Sequence, residues 1–413
     1  MSNDKTTNVC LFFQAHQPFR IRSYDFFQIG NDPNYFDDAL NRDILHRVAD
    51  RCYLPALQLF EELHHQTEGN FKAGLGISGT LITQLEKWRP DVLQRFQSLV
   101  AQGILFVTGG TYSNSLATFF SAQEAGRQIR NHRQIIKKYF QVKPTCFANT
   151  ELIYRDDMVQ MIKSFGYHTI LAEGVQRYLG HRAPNFMYHA NGDDSVKLLL
   201  RNAPLSDDIG FRFSDTSWDQ WPLCANTYTD WILDSDHQVH NIFLDLETMG
   251  EHHDASSGIF DFWRSFILNG QSRGLRYLSP NDVAEELSPV DSYSSPKHSS
   301  WADYEKDKSA WQSNVMQQEA SQKVFRLQQI VESSNCPHLF EDWSRLQSAD
   351  HFLHMSTKGG STGEAHRKFR VHADPYDSYS YFMNILADLQ IRAKVKMARH
   401  LLEQIGELAP LSE

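Results

Sequence analysis

The sequence of 413 residues has no long apolar run, no surplus of basic residues and no paired-cysteine motif. No stretch approaches the roughly 20 apolar residues of a membrane span, and the N-terminal run CLFF is too short for a signal peptide. The formal charge of −10 argues against a nucleic-acid partner, which would require a basic face. Five scattered cysteines favour buried free thiols, as expected for Cys10 and Cys146. We therefore predict a cytoplasmic protein without a nucleic-acid or membrane partner; the sequence leaves the oligomeric state open.

Cofactor and metal motifs are also missing. The chain contains no P-loop, no GxGxxG and no HExxH, and the glycines of GISGT and TGGTY are better explained as turns at strand ends. Adjacent His252 and His253 point to different sides of the chain, which disfavours their both binding one metal ion without an unusual turn. We predict neither a cofactor nor a metal.

Short apolar runs that end in polar groups recur along the first 288 residues. They are NVCLFFQAHQP, FKAGLGISGT, GILFVTGGTY, PTCFANTE, HTILAEG, KLLLRNAPLSDD, NIFLDLETMGEH and LRYLSP. Helical stretches separate many of them, and an alternation of strand and helix predicts a parallel sheet with helical crossovers. Seven or eight such units over about 285 residues fit a closed (β/α) barrel of the TIM type, an α/β fold with its chemistry at the carboxyl ends of the strands.

The composition changes near residues 288–300. SPVDSYSSPKHSS is rich in serine and proline and is typical of a linker or a long loop, and the pattern beyond it is helical. We therefore expect a catalytic barrel over residues 1–288 and a C-terminal α-helical domain over residues 289–413. The last helical stretch places apolar residues four apart, from Ile385 to Ile405, which indicates packing against a core.

The segment LDLE combines burial with charge. If the strand continues through it, Asp245 and Glu247 share one face and the leucines share the other. Two carboxylates this close raise the pKa of one of them, which suits a general acid. Spacing does not decide which of the two is the proton donor, and Glu247 could instead hold a neighbouring side chain in place.

Glu151 ends another apolar run, after Asn149 and Thr150. A structural explanation is a helix start, because Asn and Thr cap helices and acids favour the first turn. The chemical explanation is a pair with Asp245, because two carboxylates at two strand ends are the working parts of a glycosidase. His16, which ends the first run, could contact a substrate, bind a metal or be a core residue; the residues alone favour the last.

Several segments, taken together and in this order, resemble those of glycoside hydrolase family 57, the family of α-amylases and α-glucanotransferases on a seven-stranded β/α barrel. The segments are HQP at 16–18, GGTYSNSLA at 109–117, NTELIY at 149–154, LSDDIGFRFS at 205–214, FLDLETMGEHH at 243–253 and, near the C-terminus, SADHFLHMSTK and HADPYDSYSYFMNIL. The resemblance covers nearly the whole chain. The sequence departs from the family pattern at Asn114, where a histidine is expected.

This resemblance implies a retaining glycosidase acting on an α-glucan or maltooligosaccharide. Glu151 would be the nucleophile and Asp245 the acid/base, with their carboxyl groups roughly 5–5.5 Å apart. The other implied substrate-binding residues are His16, Gln17, Asp208, Arg212, Glu247, His252 and Asp350, with Glu247 in a supporting role. The change at Asn114 concerns binding of the sugar chain and not the chemistry.

Three alternatives stay open. A 4-α-glucanotransferase of the same family would differ only in whether water or a sugar hydroxyl intercepts the intermediate. A metal-dependent hydrolase, such as a polysaccharide deacetylase on a similar barrel, would use His16, Asp245 and His252 as ligands. A carbohydrate-binding protein would bind the oligosaccharide without turnover.

Overall fold

A computed structural model of the protein describes residues 6–359 and 371–404. The chain divides into two compact units, each built from several segments. The first comprises Met1–Gln17, Arg42–Tyr112 and Gly126–Trp301, and the second comprises Pro18–Asn41, Ser113–Ala125 and Ala302–Glu413. The division of the chain into domains at residues 288 and 289 stays a prediction.

Within the described residues ten strands form, all in the first unit. They are β1 (Thr7–Ala15), β2 (Ala73–Ile77), β3 (Leu105–Val107), β4 (Cys146–Ala148), β5 (Thr169–Glu173), β6 (Met187–Ala190), β7 (Asp193–Arg201), β8 (His240–Asp245), β9 (Leu275–Leu278) and β10 (Asp291–Tyr293). Each of the eight apolar runs supplies one strand. Only β6 and β10 lie outside those runs.

Seven of these strands form a distorted barrel. One sheet has the order β3-β2-β1-β8 with parallel pairing, and β4, β5 and β7 are parallel neighbours in the second. A parallel bridge between Gly109 and Phe147 connects the edge beyond β3 to β4. At the other edge, the main-chain N–H of Asn202, which directly follows β7, donates to the carbonyl of Asn241 in β8 (2.9 Å). The predicted α/β barrel is confirmed.

The remaining strands extend the barrel. β9 pairs in parallel with the first residues of β1, β6 pairs antiparallel with β7, and β10 pairs with β6. The segment 288–300, interpreted from its composition as a linker or long loop, therefore contributes a strand to the second sheet. Its composition gave no sign of this, because a three-residue strand with two exposed side chains has no apolar run.

The described helices alternate with the strands along the first part of the chain, and every described helix or strand after β10 is a helix. They are α1 (Asp38–Val48), α2 (Leu54–Gln66), α3 (Gly79–Trp88), α4 (Pro90–Ala101), α5 (Ala122–Phe140), α6 (Val159–Ser164), α7 (Gln176–Leu179), α8 (Ala203–Asp207), α9 (Ala225–Leu233), α10 (Ile259–Ser272), α11 (Pro280–Glu286), α12 (Ser309–Gln312), α13 (Val315–Arg326), α14 (Gln328–Ser333), α15 (Pro337–Arg345), α16 (Ala349–Leu353) and α17 (Pro375–Gln404). Among the described residues, no helix combines the length and the apolar character needed to cross a bilayer.

Side chains of the barrel strands alternate between two buried clusters. In β1, Val9, Leu11 and Phe13 pack in the large cluster that includes the helix residues Leu57, Phe60 and Phe266. Their neighbours Cys10 and Phe12 lie in a second cluster, with Leu171, Leu199 and Phe243 from other strands. This alternation is the period of two expected for strands between a helix layer and a barrel interior. Cys10 and Cys146 are buried free thiols, as predicted.

The apolar stripe of α17 is only partly core. Ile385, Leu389 and Ala393 are fully buried, in agreement with the prediction. Farther along the helix, Leu401 is 53% exposed, so the prediction of core packing is wrong there. Ile405, the last position of the predicted stripe, lies outside the described residues.

Candidate active site

The barrel interior changes from apolar to polar near the carboxyl ends of the strands, two residues beyond the second buried cluster described above. Phe12, Leu171, Leu199 and Phe243 are the apolar members, and the next side chains of the same parity are Gln14, Glu173, Arg201 and Asp245. The strand register pairs Gln14 with Asp245 and Glu173 with Arg201. These four residues, which we call the polar layer, stand at the carboxyl ends of their strands, where chemistry occurs in β/α barrels.

Space for the polar layer is made by a glycine. Gly76 of β2 is in register with Gln14, and a Cβ at Gly76 would lie 2.1 Å from Oε1 of Gln14 and 2.8 Å from the ring of Phe12. A larger residue there would force these two side chains to move. Asp245, the last residue of β8, is half-buried in this layer.

Glu247 does not share the strand face of Asp245. The strand ends at Asp245, and Leu246–Thr248 form a 3-10 turn, so the predicted alternation through LDLE is wrong at its last position. Glu247 is buried instead, and its Oε1 accepts a hydrogen bond from the hydroxyl of Tyr53 (2.5 Å). Burial raises the pKa of Glu247, while the hydrogen bond from Tyr53 lowers it in part.

The same carboxylate holds the end of the first strand. Its Oε1 also accepts from the main-chain N–H of His16 (3.3 Å) and, at 3.4 Å, from Nε2 of Gln17. Nδ1 of His16 lies 2.7 Å from the hydroxyl of Ser78, and the carbonyl of Gln17 accepts from Nε2 of Gln84 (2.9 Å). The structure therefore brings three predicted site residues, His16, Gln17 and Glu247, into one cluster.

Glu151 lies three residues beyond β4, in the 3-10 turn Thr150–Leu152. Its backbone is left-handed, with φ 51° and ψ 31°, and Leu152 follows with φ 49°. Nε1 of Trp301 donates to Oε2 of Glu151 at 2.7 Å. Asn149 begins the turn but makes no side-chain cap, so a capping role for Asn149 does not explain Glu151.

Arg201 crosses the polar layer and connects several strands. Its guanidinium donates to Oε2 of Glu173 (3.2 Å), to Oδ1 of Asp207 (2.5 Å) and to the carbonyl of Phe243 (2.9 Å). It also lies 5.6 Å from the centre of the Trp301 ring. A continuous set of contacts thus runs from Glu151 through Trp301 and Arg201 to the strand that ends in Asp245.

Asp208 and Arg212 are brought together by a π-helical turn, Asp208–Arg212. Nε of Arg212 donates to Oδ1 of Asp208 at 2.7 Å. Burial raises the pKa of Asp208, and the neighbouring guanidinium opposes this shift. The guanidinium of Arg212 lies 5.5 Å from the ring centre of Trp218.

The two histidines after Glu251 have different surroundings. His252 is half-buried, and its main-chain N–H donates to the carbonyl of Glu247 (2.8 Å). His253 is buried between the hydroxyl of Ser214 (2.8 Å) and the carbonyl of Gly210 (3.1 Å). Among the described residues, no group of three or more His, Cys, Asp or Glu side chains is arranged to hold a metal ion.

Asp350 and Asn114 belong to the second unit. Asp350 is in the first turn of α16 and accepts a hydrogen bond from the hydroxyl of Ser348 (2.6 Å). Asn114 is buried with φ 50°, and its carbonyl accepts from the N–H of Ala349 (2.9 Å). The two predicted positions are thus near each other within this unit.

The structure adds residues that the motifs did not single out. Trp301 and Ser300 contact Glu151 from about 150 residues away, and Tyr53 contacts Glu247 from 194 residues away. No local pattern reports such partners. Arg201 did carry a signal, because a charge at the end of the buried run LLLR requires a partner just as a carboxylate does.

Comparison with known proteins gives consistent matches. A family profile described as "Glycosyl hydrolase family 57" matches residues 10–296. A protein of Methanocaldococcus jannaschii named "Putative alpha-amylase" is 35% identical over 401 residues, which are 94% of this chain and 85% of that protein.

Solved structures match at lower identity. The 4-alpha-glucanotransferase from Thermococcus litoralis is 14% identical with a TM-score of 0.63, and the match covers 84% of this chain and 56% of that one. A GH57 branching enzyme from Thermococcus kodakaraensis is 12% identical with a TM-score of 0.69, covering 97% of this chain and 91% of that one. At these identities the likeness shows the fold alone.

Proposed function

The chain belongs to glycosyl hydrolase family 57, and we propose that it is a retaining glycosidase that hydrolyses α-1,4 linkages of α-glucans. The observation that carries the proposal is the polar layer. Asp245 ends a barrel strand inside it, and Arg201 of the same layer lies against Trp301, which holds the carboxylate of Glu151. Two carboxylates presented by two strand ends are the machinery of a glycosidase.

In the proposed first step, a carboxylate oxygen of Glu151 attacks the anomeric carbon. A covalent bond forms to the enzyme while the glycosidic bond breaks, and Asp245 donates its proton to the departing oxygen. In the second step Asp245 takes a proton from water, whose oxygen attacks the anomeric carbon and releases Glu151. Two inversions give net retention, and they require the carboxyl groups to be roughly 5–5.5 Å apart.

The substrate contacts are proposals on the same basis. His16 and Gln17 stand at the end of β1, and Asp208, Arg212 and His252 lie in turns that follow barrel strands. Asp350 of the second unit is proposed on the family resemblance, with Asn114 beside it. Glu247 is buried and accepts hydrogen bonds from His16 and Gln17, so we propose that it positions them and does not itself reach the sugar.

Replacing Glu247 tests this positioning role. Glu247→Ala removes the carboxylate that accepts from the His16 N–H, the Gln17 amide and the Tyr53 hydroxyl, and we expect kcat/KM to fall by about 10- to 100-fold, mostly through KM. Tyr53→Phe removes one donor and keeps the carboxylate, so it is the milder matched variant. Steady-state kinetics on maltoheptaose decide the question: a loss in kcat as deep as that of Asp245→Asn would make Glu247 the proton donor instead.

The product pattern from maltoheptaose tests the proposed reaction. Hydrolysis gives only products shorter than seven glucose units, together with new reducing ends. A 4-α-glucanotransferase, the second candidate, gives longer and shorter products together, because a sugar hydroxyl replaces water in the second step. Hydrolysis is favoured by the 35% identity, over 94% of the chain, to the Methanocaldococcus jannaschii protein whose name describes an alpha-amylase. Chromatography of a time course separates the two outcomes, and binding without any product would reduce the protein to a carbohydrate-binding module.

The same assay, repeated after treatment with a chelator, tests the alternative that the protein is a metal-dependent hydrolase. We expect unchanged turnover after extended treatment with EDTA, because the proposed chemistry is carried by carboxylates alone. Loss of turnover that returns when Zn²⁺ is added would instead favour His16, Asp245 and His252 as ligands.

A further inference from the structure

We infer that Trp301 is a positioning residue for the nucleophile, holding the carboxylate of Glu151 in its reactive orientation and in its charged form. The inference rests on the proposed function, since it assigns a task to Trp301 only if Glu151 attacks the sugar. It begins from one contact: Nε1 of Trp301 donates to Oε2 of Glu151 at 2.7 Å. An indole N–H can only donate, so this bond favours the ionised carboxylate, which is the nucleophilic form.

The segment that carries Trp301 is fixed to the Glu151 turn at several points. The N–H of Trp301 (3.2 Å) and the hydroxyl of Ser300 (2.9 Å) both donate to the carbonyl of Glu151. One residue earlier, Ser299 exchanges two main-chain hydrogen bonds with Tyr154 (2.9 and 3.0 Å). Together these bonds close a clamp, residues 299–301, around the turn.

The clamp explains an unfavourable backbone. Glu151 and Leu152 are consecutive non-glycine residues in the left-handed region, a conformation that costs on the order of 1–2 kcal/mol per residue. Such conformations persist only where the surroundings determine them, and they concentrate at functional sites. Two donors on the Glu151 carbonyl supply that determination. The backbone bonds therefore set the turn, and the indole bond sets the carboxylate.

Arg201 fixes the indole from its other side. The guanidinium carbon lies 5.6 Å from the ring centre of Trp301, within range of a cation–π contact. Arg201 is itself buried and held by Glu173 and Asp207. Because the Trp301 ring is already packed against a fixed cation, it loses little conformational freedom when it donates to Glu151. A supporting residue that is itself held in place can in this way hold a reactive side chain in one orientation.

The variant Trp301→Phe removes the N–H donor. It keeps an aromatic ring for Arg201 but also loses part of the volume of the indole, a loss that the control below shares. We expect kcat for maltoheptaose to fall by about 10- to 100-fold with KM changed less than threefold, because a charge-assisted bond at the reacting group is lost. We also expect the acid limb of the kcat/KM profile to move to higher pH by about one unit, since the carboxylate becomes easier to protonate.

The matched control is Trp343→Phe. Nε1 of Trp343 donates to the carbonyl of Val324, also at 2.7 Å, so this variant loses an indole bond of the same length at a main-chain acceptor. We expect its kcat and its pH profile to stay within a factor of two of the parent chain. An equal loss in both variants would reduce the role of Trp301 to general stability and overturn the inference.

A second measurement separates this inference from the proposed function. In protein labelled with ¹³C at glutamate carboxyl carbons, the Glu151 resonance is identified by its absence in Glu151→Gln. Its titration midpoint in Trp301→Phe should lie about one pH unit above that in the parent chain. An unchanged midpoint together with unchanged kinetics would overturn the inference while leaving the glycosidase intact. An inactive parent chain would overturn the proposed function, and the titration would still report whether Trp301 acts on Glu151.

Discussion

Replacing Glu151 by Gln, or Asp245 by Asn, should lower the turnover of α-1,4-glucans by about 10³-fold or more in each case. Gln cannot form the covalent glycosyl ester, and Asn cannot donate the proton that the leaving oxygen needs. Both changes conserve the shape of the side chain, so the urea midpoint should stay close to that of the parent chain. Asp254→Asn is the control, because Asp254 is exposed and caps the N–H of Ser256, a task that Asn performs equally well.

An activated substrate distinguishes the two roles. α-Maltosyl fluoride needs no proton donor, because fluoride departs unaided when the carboxylate of Glu151 bonds to the anomeric carbon. We expect Asp245→Asn to form the covalent glycosyl-enzyme from this substrate and to accumulate it, since the base for the second step is missing. Glu151→Gln should form none. Mass spectrometry of the quenched protein reads the outcome, and the opposite pattern would exchange the two assignments.

The sequence predicts the barrel well because its strands are buried on both faces. The centre of such a run, for example VCLFF at 9–13, is apolar at every position and is followed by polar residues, so both the strand and its chemical end are visible without a structure. Asp245 is predictable in this way, because it points to the same face of its strand as Phe243, two residues earlier, which lies in the barrel interior. By contrast, β6 and β10 pair at the margin of the second sheet and have no comparable run.

The supporting residues could not be predicted in the same way. Alternation along LDLE predicts that Glu247 shares the face of Asp245, but the chain turns at residue 246 and buries Glu247 against Tyr53. Trp301 reaches Glu151 through a clamp whose residues lie in a serine-rich stretch typical of loops. The alternation of side chains holds only within a strand and does not apply beyond its last residue. A contact between segments that are distant in the sequence produces no pattern in either segment.

Arg201→Met should destabilise the barrel unit strongly, lowering its thermal midpoint by roughly 5–15 °C. The arginine is 3% exposed and neutralises Glu173, whose side chain is 1% exposed, together with Asp207. Removing one partner of a buried ion pair leaves an uncompensated charge and costs about 3–5 kcal/mol. Arg201→Lys keeps the charge but not the planar guanidinium that reaches Glu173, Asp207 and the Phe243 carbonyl. Its thermal midpoint should therefore fall between those of the parent chain and Arg201→Met.

The pH dependence of that loss identifies its cause. In Arg201→Met, Glu173 is a buried carboxyl without its cation, so in the folded state it binds a proton more readily than in the unfolded chain. Where the folded state binds more protons, the free energy of unfolding rises as pH falls. The stability gap to the parent chain should therefore narrow from pH 7 to pH 5, and Arg201→Met combined with Glu173→Gln should show less of this narrowing. Urea midpoints followed by circular dichroism measure both, and a gap that is constant with pH would attribute the loss to packing instead of charge.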